Sequence, residues 1–317
     1  MQKLLQIDDL KIYYKSKFGD YKSVDGVTFE VYENEIFGIA GESGCGKSTL
    51  VEGILGLVQL PGYIKNGKIL FKGKDLLNLK EDELRALRWV DFSYIPQGSM
   101  NSLNPVLKIE EQMLDVIFAH VDVPVEKAKD MAISSLRETN LPIKVLDMYS
   151  HELSGGMKQR VIIAMSTILK PKLVIADEPV TALDVLVQKL ILQSIANLKD
   201  SNHMTVILVA HDMAIHAEIV DRLAIMYAGK IMEIGPVHDI FKNAQHPYTK
   251  CLIMAIPAIN EKNIKSIPGL SPSPLNWPKG CRFHPRCTRA TVECRQIEPT
   301  LEPAGGTRLV ACWHPLS

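Results

Sequence analysis

The stretch Ile36–Leu50 constrains the fold of this 317-residue chain more than any other. Residues 36–40 are apolar and predict a buried strand, and residues 41–48 match the pattern G-x-x-x-x-G-K-[ST] before a segment that can continue as a helix. Glycines at this spacing allow loop amides and a helix N-terminus to face an anion. The alternative, a glycine turn before an ordinary helix, requires the match to arise by chance. We therefore predict a phosphate-binding loop, the P-loop, at residues 41–48.

Side chains of the P-loop predict a nucleotide ligand with Mg²⁺. Lys47 supplies a positive charge for the β- and γ-phosphates, and Ser48 offers a hydroxyl to Mg²⁺. Cys45 is expected to be a small, space-filling residue. The candidate nucleotide-binding residues of this loop are Gly41, Ser43, Gly44, Cys45, Gly46, Lys47, Ser48 and Thr49.

Composition excludes several classes of protein. The chain is 46% hydrophobic and 23% charged, with 36 basic and 36 acidic residues, so no overall charge draws it to nucleic acid. The apolar run 161–176 is interrupted by Lys170, Pro171 and Lys172 and falls short of the ~20 residues that span a bilayer. The first ten residues include acids where a signal peptide needs an apolar core. We expect a cytosolic α/β protein that does not itself cross the membrane.

An acidic pair follows a second predicted buried strand. Residues 173–176 are apolar, and Asp177 and Glu178 come directly after them. Nucleotide sites in α/β sheets lie at the carboxyl ends of strands. Alone, such a pair is weak evidence, but after a P-loop it predicts Asp177 as a Mg²⁺ ligand and Glu178 as a general base.

These and further motifs resemble those of ATP-binding-cassette (ABC) ATPases across residues 1–255. The resemblance is carried, in order, by Gln97, the signature-like run Leu153–Arg160, Asp177–Glu178, Thr181–Asp184 and His211. Met157 departs mildly from the glutamine usual in the signature. The family implies a RecA-like core sheet, an N-terminal antiparallel β subdomain and a helical signature subdomain at about 98–169.

The resemblance also implies roles for single residues. Gln97, Ser48 and Asp177 would bind Mg²⁺, Glu178 would activate water, and His211 would contact the γ-phosphate. In the family, one subunit's signature closes on ATP held by the other subunit's P-loop. The residues expected to contact the ATP of the other subunit are Ser154, Gly155 and Gly156 of the signature, with Asp184 of the motif Thr181–Asp184.

An aromatic residue ahead of the P-loop is expected to stack on the base. Phe18, beside Gly19, is our candidate, with Tyr14 and Tyr21 as competitors. The alternative is an aromatic residue that only packs in the core.

Three segments resemble the oligopeptide/dipeptide importer branch of the family. They are Ser99–Pro105, His246–Thr249 and Gly280–Cys287. The branch implies an ATPase that powers import of di- or oligopeptides, paired with a second, related ATPase and docked on two membrane permease subunits at the cytoplasmic face. An extracellular solute-binding protein would act indirectly. Alternatives are an oligosaccharide or nickel importer, or a soluble iron–sulfur ABC ATPase not coupled to transport.

Cysteines cluster beyond a proline-rich stretch. We predict a linker at 256–280 and a Cys-rich appendage at 281–317 that contains Cys281, Cys287, Cys294 and Cys312. Soft thiolates select iron–sulfur clusters or zinc, and both the family and the local basic residues favour one [4Fe–4S] cluster over zinc or metal-free thiols. Because every ATP motif lies before residue 212, we expect a structural or regulatory role for this tail.

Overall fold

The chain is described by a computed structural model that covers residues 2–256 and 267–317. Part of the predicted linker, residues 257–266, lies outside the described residues. The strands, in chain order, are β1 Lys3–Ser16, β2 Gly19–Tyr32, β3 Ile36–Ala40, β4 Gly62–Phe71, β5 Lys74–Asp75, β6 Phe92–Ile95, β7 Leu173–Asp177, β8 Thr205–Val209, β9 Arg222–Tyr227, β10 Lys230–Pro236, β11 Glu302–Pro303 and β12 Leu309–Val310.

Helices connect most of these strands. They are α1 Lys47–Leu55, α2 Glu81–Leu87, α3 Ile109–His120, α4 Val125–Glu138, α5 Gly155–Thr167, α6 Val185–Asn202, α7 Met213–Ile219, α8 Val237–Lys242, α9 Pro247–Met254 and α10 Val292–Gln296. Among the described residues, no helix combines the length and the apolar character that crossing a membrane requires.

The chain divides into two compact units. The first comprises residues 1–32, 37–78 and 209–317, and the second comprises residues 33–36 and 79–208. The predicted domain limits, with an ATP-binding domain ending at 255, stay a prediction.

An antiparallel sheet in the first unit has the strand order β2-β1-β4-β5. β1 pairs with β2 along its whole length, from Lys3 opposite Tyr32 to Ser16 opposite Gly19, with several bulges. Bulges at the register shifts keep the pairing continuous. Buried and partly exposed residues alternate along much of β2, as expected for a sheet with one face against the core.

Five strands of the first unit form part of a mixed sheet, in the order β11-β12-β10-β9-β3. β3 runs parallel to β9 with Ile39 opposite Ala224, and all five residues of β3 are buried. β9 and β10 form an antiparallel hairpin. β12 adds to β10 with Val310 opposite Glu233, so the Cys-rich tail extends the sheet of the first unit.

The second unit contains three strands in the order β8-β7-β6 and a group of helices. β6 runs parallel to β7, and β7 and β8 are buried throughout. The predicted helical region resolves into α3, α4 and α5, which pack on one another. Along α4 the buried residues are Ala128, Ala132, Ser135 and Leu136, a helical spacing that explains its single apolar face. The α/β fold with an antiparallel β subdomain and a helical subdomain is therefore as predicted.

Candidate functional site

The P-loop lies in the first unit, between β3 and α1. The Lys47 ammonium donates hydrogen bonds to the carbonyl oxygens of Gly41, at 2.9 Å, and Glu42, at 3.1 Å. A Cβ atom on Gly46 would lie 2.2 Å from the Ser23 carbonyl oxygen, and the φ of Gly46 is +106°. Only glycine fits here, because both the space and the backbone conformation exclude a side chain.

Some residues of the P-loop are buried and hold the loop in place, whereas others are exposed where a ligand could reach them. Gly41, Cys45, Gly46 and Lys47 are buried, whereas Ser43, Gly44 and Ser48 are exposed. Burial raises the pKa of the Cys45 thiol, so this side chain is a neutral, space-filling group. Ser48 and Thr49 lie in the first turn of α1, where backbone amides and the helix dipole favour a bound phosphate.

Aromatic side chains of the first unit compete for the predicted base-stacking role. Phe18 is 86% exposed in the turn between β1 and β2. Tyr14 lies beside α1: its hydroxyl donates to Glu52 Oε2 at 3.2 Å and lies 3.5 Å from Thr49 Oγ1. Tyr21 pairs with Tyr14 across the strands. Of the three, Tyr14 contacts the helix that follows the P-loop.

In the second unit, the acidic pair ends strand β7. Asp177 is buried at 1% exposure, and Glu178 is half-buried. Glu178 Oε2 accepts hydrogen bonds from Gln97 Nε2 at 2.9 Å and from Thr181 Oγ1 at 3.0 Å. The structure therefore brings together three residues that the sequence placed in separate motifs. These contacts orient one carboxylate oxygen, an arrangement suited to a group that accepts a proton from water.

Glu178 also has an unusual backbone. Its φ is +50°, a left-handed conformation that is uncommon for a residue with a side chain. Such conformations cost free energy and cluster at functional sites.

The signature-like run forms the start of α5. Ser154 is the N-cap, and its hydroxyl accepts a hydrogen bond from the Met157 amide at 3.3 Å. Gly155 and Gly156 open the helix; a Cβ on Gly156 would lie 2.6 Å from Val187 of α6. Asp184 caps α6, with its carboxylate accepting from the Val187 amide at 3.0 Å. A glycine-lined helix N-terminus is a second anion-binding arrangement.

His211 follows β8 and belongs to the first unit, where its side chain is exposed. This is the strand-end position predicted for it. The prediction that it contacts a γ-phosphate stays open.

Family models match two parts of this chain. The model described as ABC transporter matches residues 24–181, and the model described as oligopeptide/dipeptide transporter, C-terminal region, matches residues 232–294. The dipeptide transport ATP-binding protein DppD of Caldanaerobacter subterraneus is 42% identical, over 98% of this chain and 97% of its own. The oligopeptide transport ATP-binding protein OppD of Bacillus subtilis is 40% identical, over 99% of this chain and 90% of its own.

The chain belongs to the ATP-binding subunits of oligopeptide/dipeptide ABC transporters.

Solved structures agree with this membership. A dimeric ATP-binding cassette in a post-hydrolysis state, bound to ADP and Pi, has a TM-score of 0.66 and 25% identity, and the match covers 74% of this chain and 99% of that one. The chain is thus an ABC ATPase that hydrolyses ATP in transport. Membership in this family implies membrane permease partners.

Four cysteines of this ABC ATPase line one small cavity in the tail. The cysteines Cys281, Cys287, Cys294 and Cys312 share it with neighbours that include Phe283, Trp313 and His314. Burial, with smaller effects of the neighbouring thiols, raises the pKa of Cys281 to about 11. In the described part of the chain, no three Cys, His, Asp or Glu side chains are arranged to hold a metal ion. The thiols are therefore gathered as predicted, but the predicted iron–sulfur or zinc site has no support in the arrangement of their side chains.

Sequence reasoning missed a group of contacts around Glu42, the second residue of the P-loop. Its amide donates to the Tyr248 hydroxyl at 3.0 Å, and its carboxylate forms an ion pair with Arg286. Both partners lie in segments that the sequence marked as family-like, His246–Thr249 and Gly280–Cys287, without a role. The match of those segments to the importer branch was the one available signal.

Proposed function

We propose that this ABC ATPase powers the import of di- or oligopeptides. The observation that carries the proposal is the likeness, at about 40% identity over nearly the whole chain, to proteins named for dipeptide and oligopeptide transport. The match to a C-terminal region characteristic of such transporters extends it beyond the nucleotide-binding motifs.

The nucleotide site is proposed to use both helix N-termini. Lys47 and the amides of the P-loop bind the β- and γ-phosphates, while Ser154, Gly155 and Gly156 of a second subunit close on the γ-phosphate. Such a site is complete only in a dimer, and we propose a distinct, related ATPase as the usual partner.

The residues proposed for Mg²⁺ suit that ion. Ser48, Gln97 and Asp177 offer hydroxyl, amide and carboxylate oxygens, the donors that Mg²⁺ prefers. When bound with ATP, the ion neutralises charge that develops on the phosphates.

Glu178 is proposed as the general base. Gln97 and Thr181 both donate to Oε2 of Glu178 and so orient the carboxylate that would take a proton from the attacking water. His211 is proposed to contact the γ-phosphate.

Replacing Glu178 by Gln in the assembled transporter tests this role. Because the amide cannot accept the proton, ATP turnover should fall ~10²–10⁴-fold while MgATP binding is kept. Glu126→Gln, an exposed glutamate of α4, is the matched control and should hydrolyse ATP normally. Near-normal turnover in the Glu178 variant contradicts the assignment.

Uptake by reconstituted vesicles tests the solute. Vesicles that carry the complete complex and its solute-binding protein should accumulate a labelled dipeptide only when ATP is present on the side of this subunit. The complex that carries Glu178→Gln is the negative control and should accumulate no dipeptide. Accumulation of nickel or an oligosaccharide instead would replace the peptide assignment, and failure of the chain to copurify with any permease would favour a soluble role.

Assembly and location follow from the same proposal. We place this subunit on the cytoplasmic face of the membrane, bound to two permease subunits, with the extracellular solute-binding protein acting indirectly. Nucleic acid is not among the proposed partners, since the formal net charge is zero.

The tail cysteines are proposed to ligate one [4Fe–4S] cluster, with zinc as the alternative. The residue types support this, because four soft sulfur donors line one cavity, although their side chains would have to turn towards a cluster to hold it. Burial raises the pKa of the Cys281, Cys287 and Cys312 thiols, and ligation requires thiolates, so binding would release protons from these sulfurs.

Anaerobic purification tests the cluster. The protein should be brown, absorb near ~400 nm and contain about four irons per chain. Cys287→Ser should remove the iron, whereas Cys251→Ser, a control outside the four, should keep it. A colourless protein with one zinc would replace iron–sulfur by zinc, and a metal-free protein would remove the site.

A further inference from the structure

Glu42 forms hydrogen bonds through three different groups, one within the P-loop and two to other parts of the first unit. Its amide donates to the Tyr248 hydroxyl at 3.0 Å. Its carbonyl oxygen accepts from the Lys47 ammonium at 3.1 Å. Its carboxylate accepts from Arg286 and from the Ser271 hydroxyl. The position of this single residue is therefore coupled to the lysine that the proposed function assigns to ATP phosphates.

The ion pair between Glu42 and Arg286 is bidentate. Arg286 Nη1 donates to Oε2 at 2.8 Å, and Nη2 donates to Oε1 at 3.0 Å. The Arg286 side chain is 6% exposed and that of Glu42 is 23% exposed, so water screens this pair less than a surface pair. Burial raises the pKa of the Glu42 carboxyl, but hydrogen bonds from Arg286 and Ser271 outweigh it and the net pKa is lowered. The carboxylate is thus charged at neutral pH.

Arg286, a residue of the tail, is itself held in place by contacts with the linker and with β9. It ends the short 3₁₀ helix His284–Arg286, directly before Cys287. Its Nε donates to the Pro268 carbonyl oxygen at 2.7 Å, and Nη1 also donates to the Tyr227 hydroxyl at 3.2 Å. Phe283, fully buried one turn earlier, packs its ring on those of Tyr227 and Tyr248. Contacts other than the one with Glu42 therefore also hold the guanidinium in position.

We infer that Arg286 is a positioning residue for the P-loop, through which the Cys-rich tail supports the binding of MgATP. Phosphate binding needs the loop backbone in place while the Lys47 ammonium turns from the Gly41 and Glu42 carbonyls towards the ligand. Fixing Glu42 from the tail lowers the cost of ordering the loop, because the backbone is preorganised. The inference rests on the proposed use of the P-loop as the nucleotide site.

Titration of the full-length chain with MgATP by calorimetry tests the inference. Arg286→Gln should weaken binding about tenfold, within the usual range for coupling between neighbouring groups. Arg286→Lys should have an intermediate effect, since lysine keeps the charge but lacks the planar fork. Arg295→Gln, an exposed arginine of the same tail, is the matched control and should bind normally. In the assembled transporter, Arg286→Gln should raise KM for ATP more than it lowers kcat.

A double-mutant cycle separates positioning from general destabilisation. Glu42→Gln and Arg286→Gln should each weaken MgATP binding, and the double variant should be no weaker than the poorer single variant. Additive losses, or unchanged affinity in both Arg286 variants, overturn the inference. If Arg286→Gln does not fold, Arg286→Lys decides the question, because it keeps the buried charge.

Lys47→Ala distinguishes failure of the inference about Arg286 from failure of the proposed nucleotide site at the P-loop. If it abolishes MgATP binding while the Arg286 variants bind normally, the P-loop is the site and the inference alone fails. If Lys47→Ala binds MgATP normally, the proposed site itself is wrong, and the inference fails with it.

Discussion

The hydroxyl of Tyr14 contacts α1 beside the P-loop, whereas the ring of Phe18 projects from a turn. Tyr14 donates to Glu52 at 3.2 Å, and Phe18 is 86% exposed. A ring that stacks on the base of a nucleotide must lie near the P-loop. Stacking also contributes more binding free energy when the ring is already held in position, because less side-chain freedom is lost on binding. At the residue scale, Tyr14 is therefore better placed for base stacking than the residue we chose from sequence.

Alanine variants of the two aromatic residues distinguish them. We expect Tyr14→Ala to weaken MgATP binding by roughly 5- to 150-fold, the equivalent of ~1–3 kcal/mol for one lost stacking contact. Tyr14→Phe keeps the ring and should retain most of the affinity, although it loses the hydrogen bond to Glu52. Phe18→Ala should bind normally. Fluorescence titration with a labelled ATP analogue measures this; weak binding by Phe18→Ala alone would restore the sequence-based choice.

Single residues show where sequence reasoning succeeds. The P-loop glycines were predictable, because their spacing encodes a backbone conformation that only glycine adopts, as Gly46 shows. The pair of Glu42 with Arg286 was not, because the two residues lie 244 positions apart and neither belongs to a periodic pattern. Tertiary contacts between loops carry no local signal in one sequence.

At the scale of elements, the signature helix α5 combines a cap and an anion site at one end. Ser154 accepts a hydrogen bond from the Met157 amide, and no acidic residue occupies the first turn of α5. Long elements of this kind were predictable from capping residues and apolar runs. The two-residue strands β11 and β12 were not, because so short a segment has no periodicity: β12 forms by pairing with β10, and β11 by pairing with β12.

Two substitutions at Ser154 separate the structural from the ligand-binding role of this helix end. Ser154→Ala removes the cap and should lower the free energy of unfolding by ~0.5–2 kcal/mol. Ser154→Asp restores a capping oxygen and favourable charge at the helix N-terminus, so stability should return. The carboxylate of the Ser154→Asp variant would repel the ATP phosphates, so ATP turnover in the assembled transporter should be lower than in the unsubstituted protein.

Thermal unfolding and ATPase assays of both variants check this prediction, with Ser154→Thr as the conservative control. If Ser154→Asp is both stable and fully active, the helix N-terminus does not approach phosphate and acts only in packing.

At the scale of the whole molecule, apolar side chains next to Asp184 indicate association between subunits. Val185, Leu186 and Leu190 of α6 are all exposed in this chain. Neighbouring exposed apolar residues favour burial against a partner. They follow the motif that the family places close to the second subunit, so we expect them to become less exposed when ATP draws two cassettes together.

Hydrolysis by the isolated chain should therefore depend on its concentration. Because each proposed site uses a P-loop from one subunit and a signature helix from the other, specific activity should fall on dilution and rise when the proposed partner ATPase is added. Glu178→Gln should be trapped as a dimer by MgATP, as seen by light scattering after size exclusion. Adding Leu186→Glu to that variant should reduce the trapped dimer, since the new charges resist burial at an interface. Val292→Glu, at an exposed apolar residue of α10, is the matched control and should leave trapping unchanged. Rapid hydrolysis by a monomer at a rate per chain that does not change with concentration would contradict a shared site.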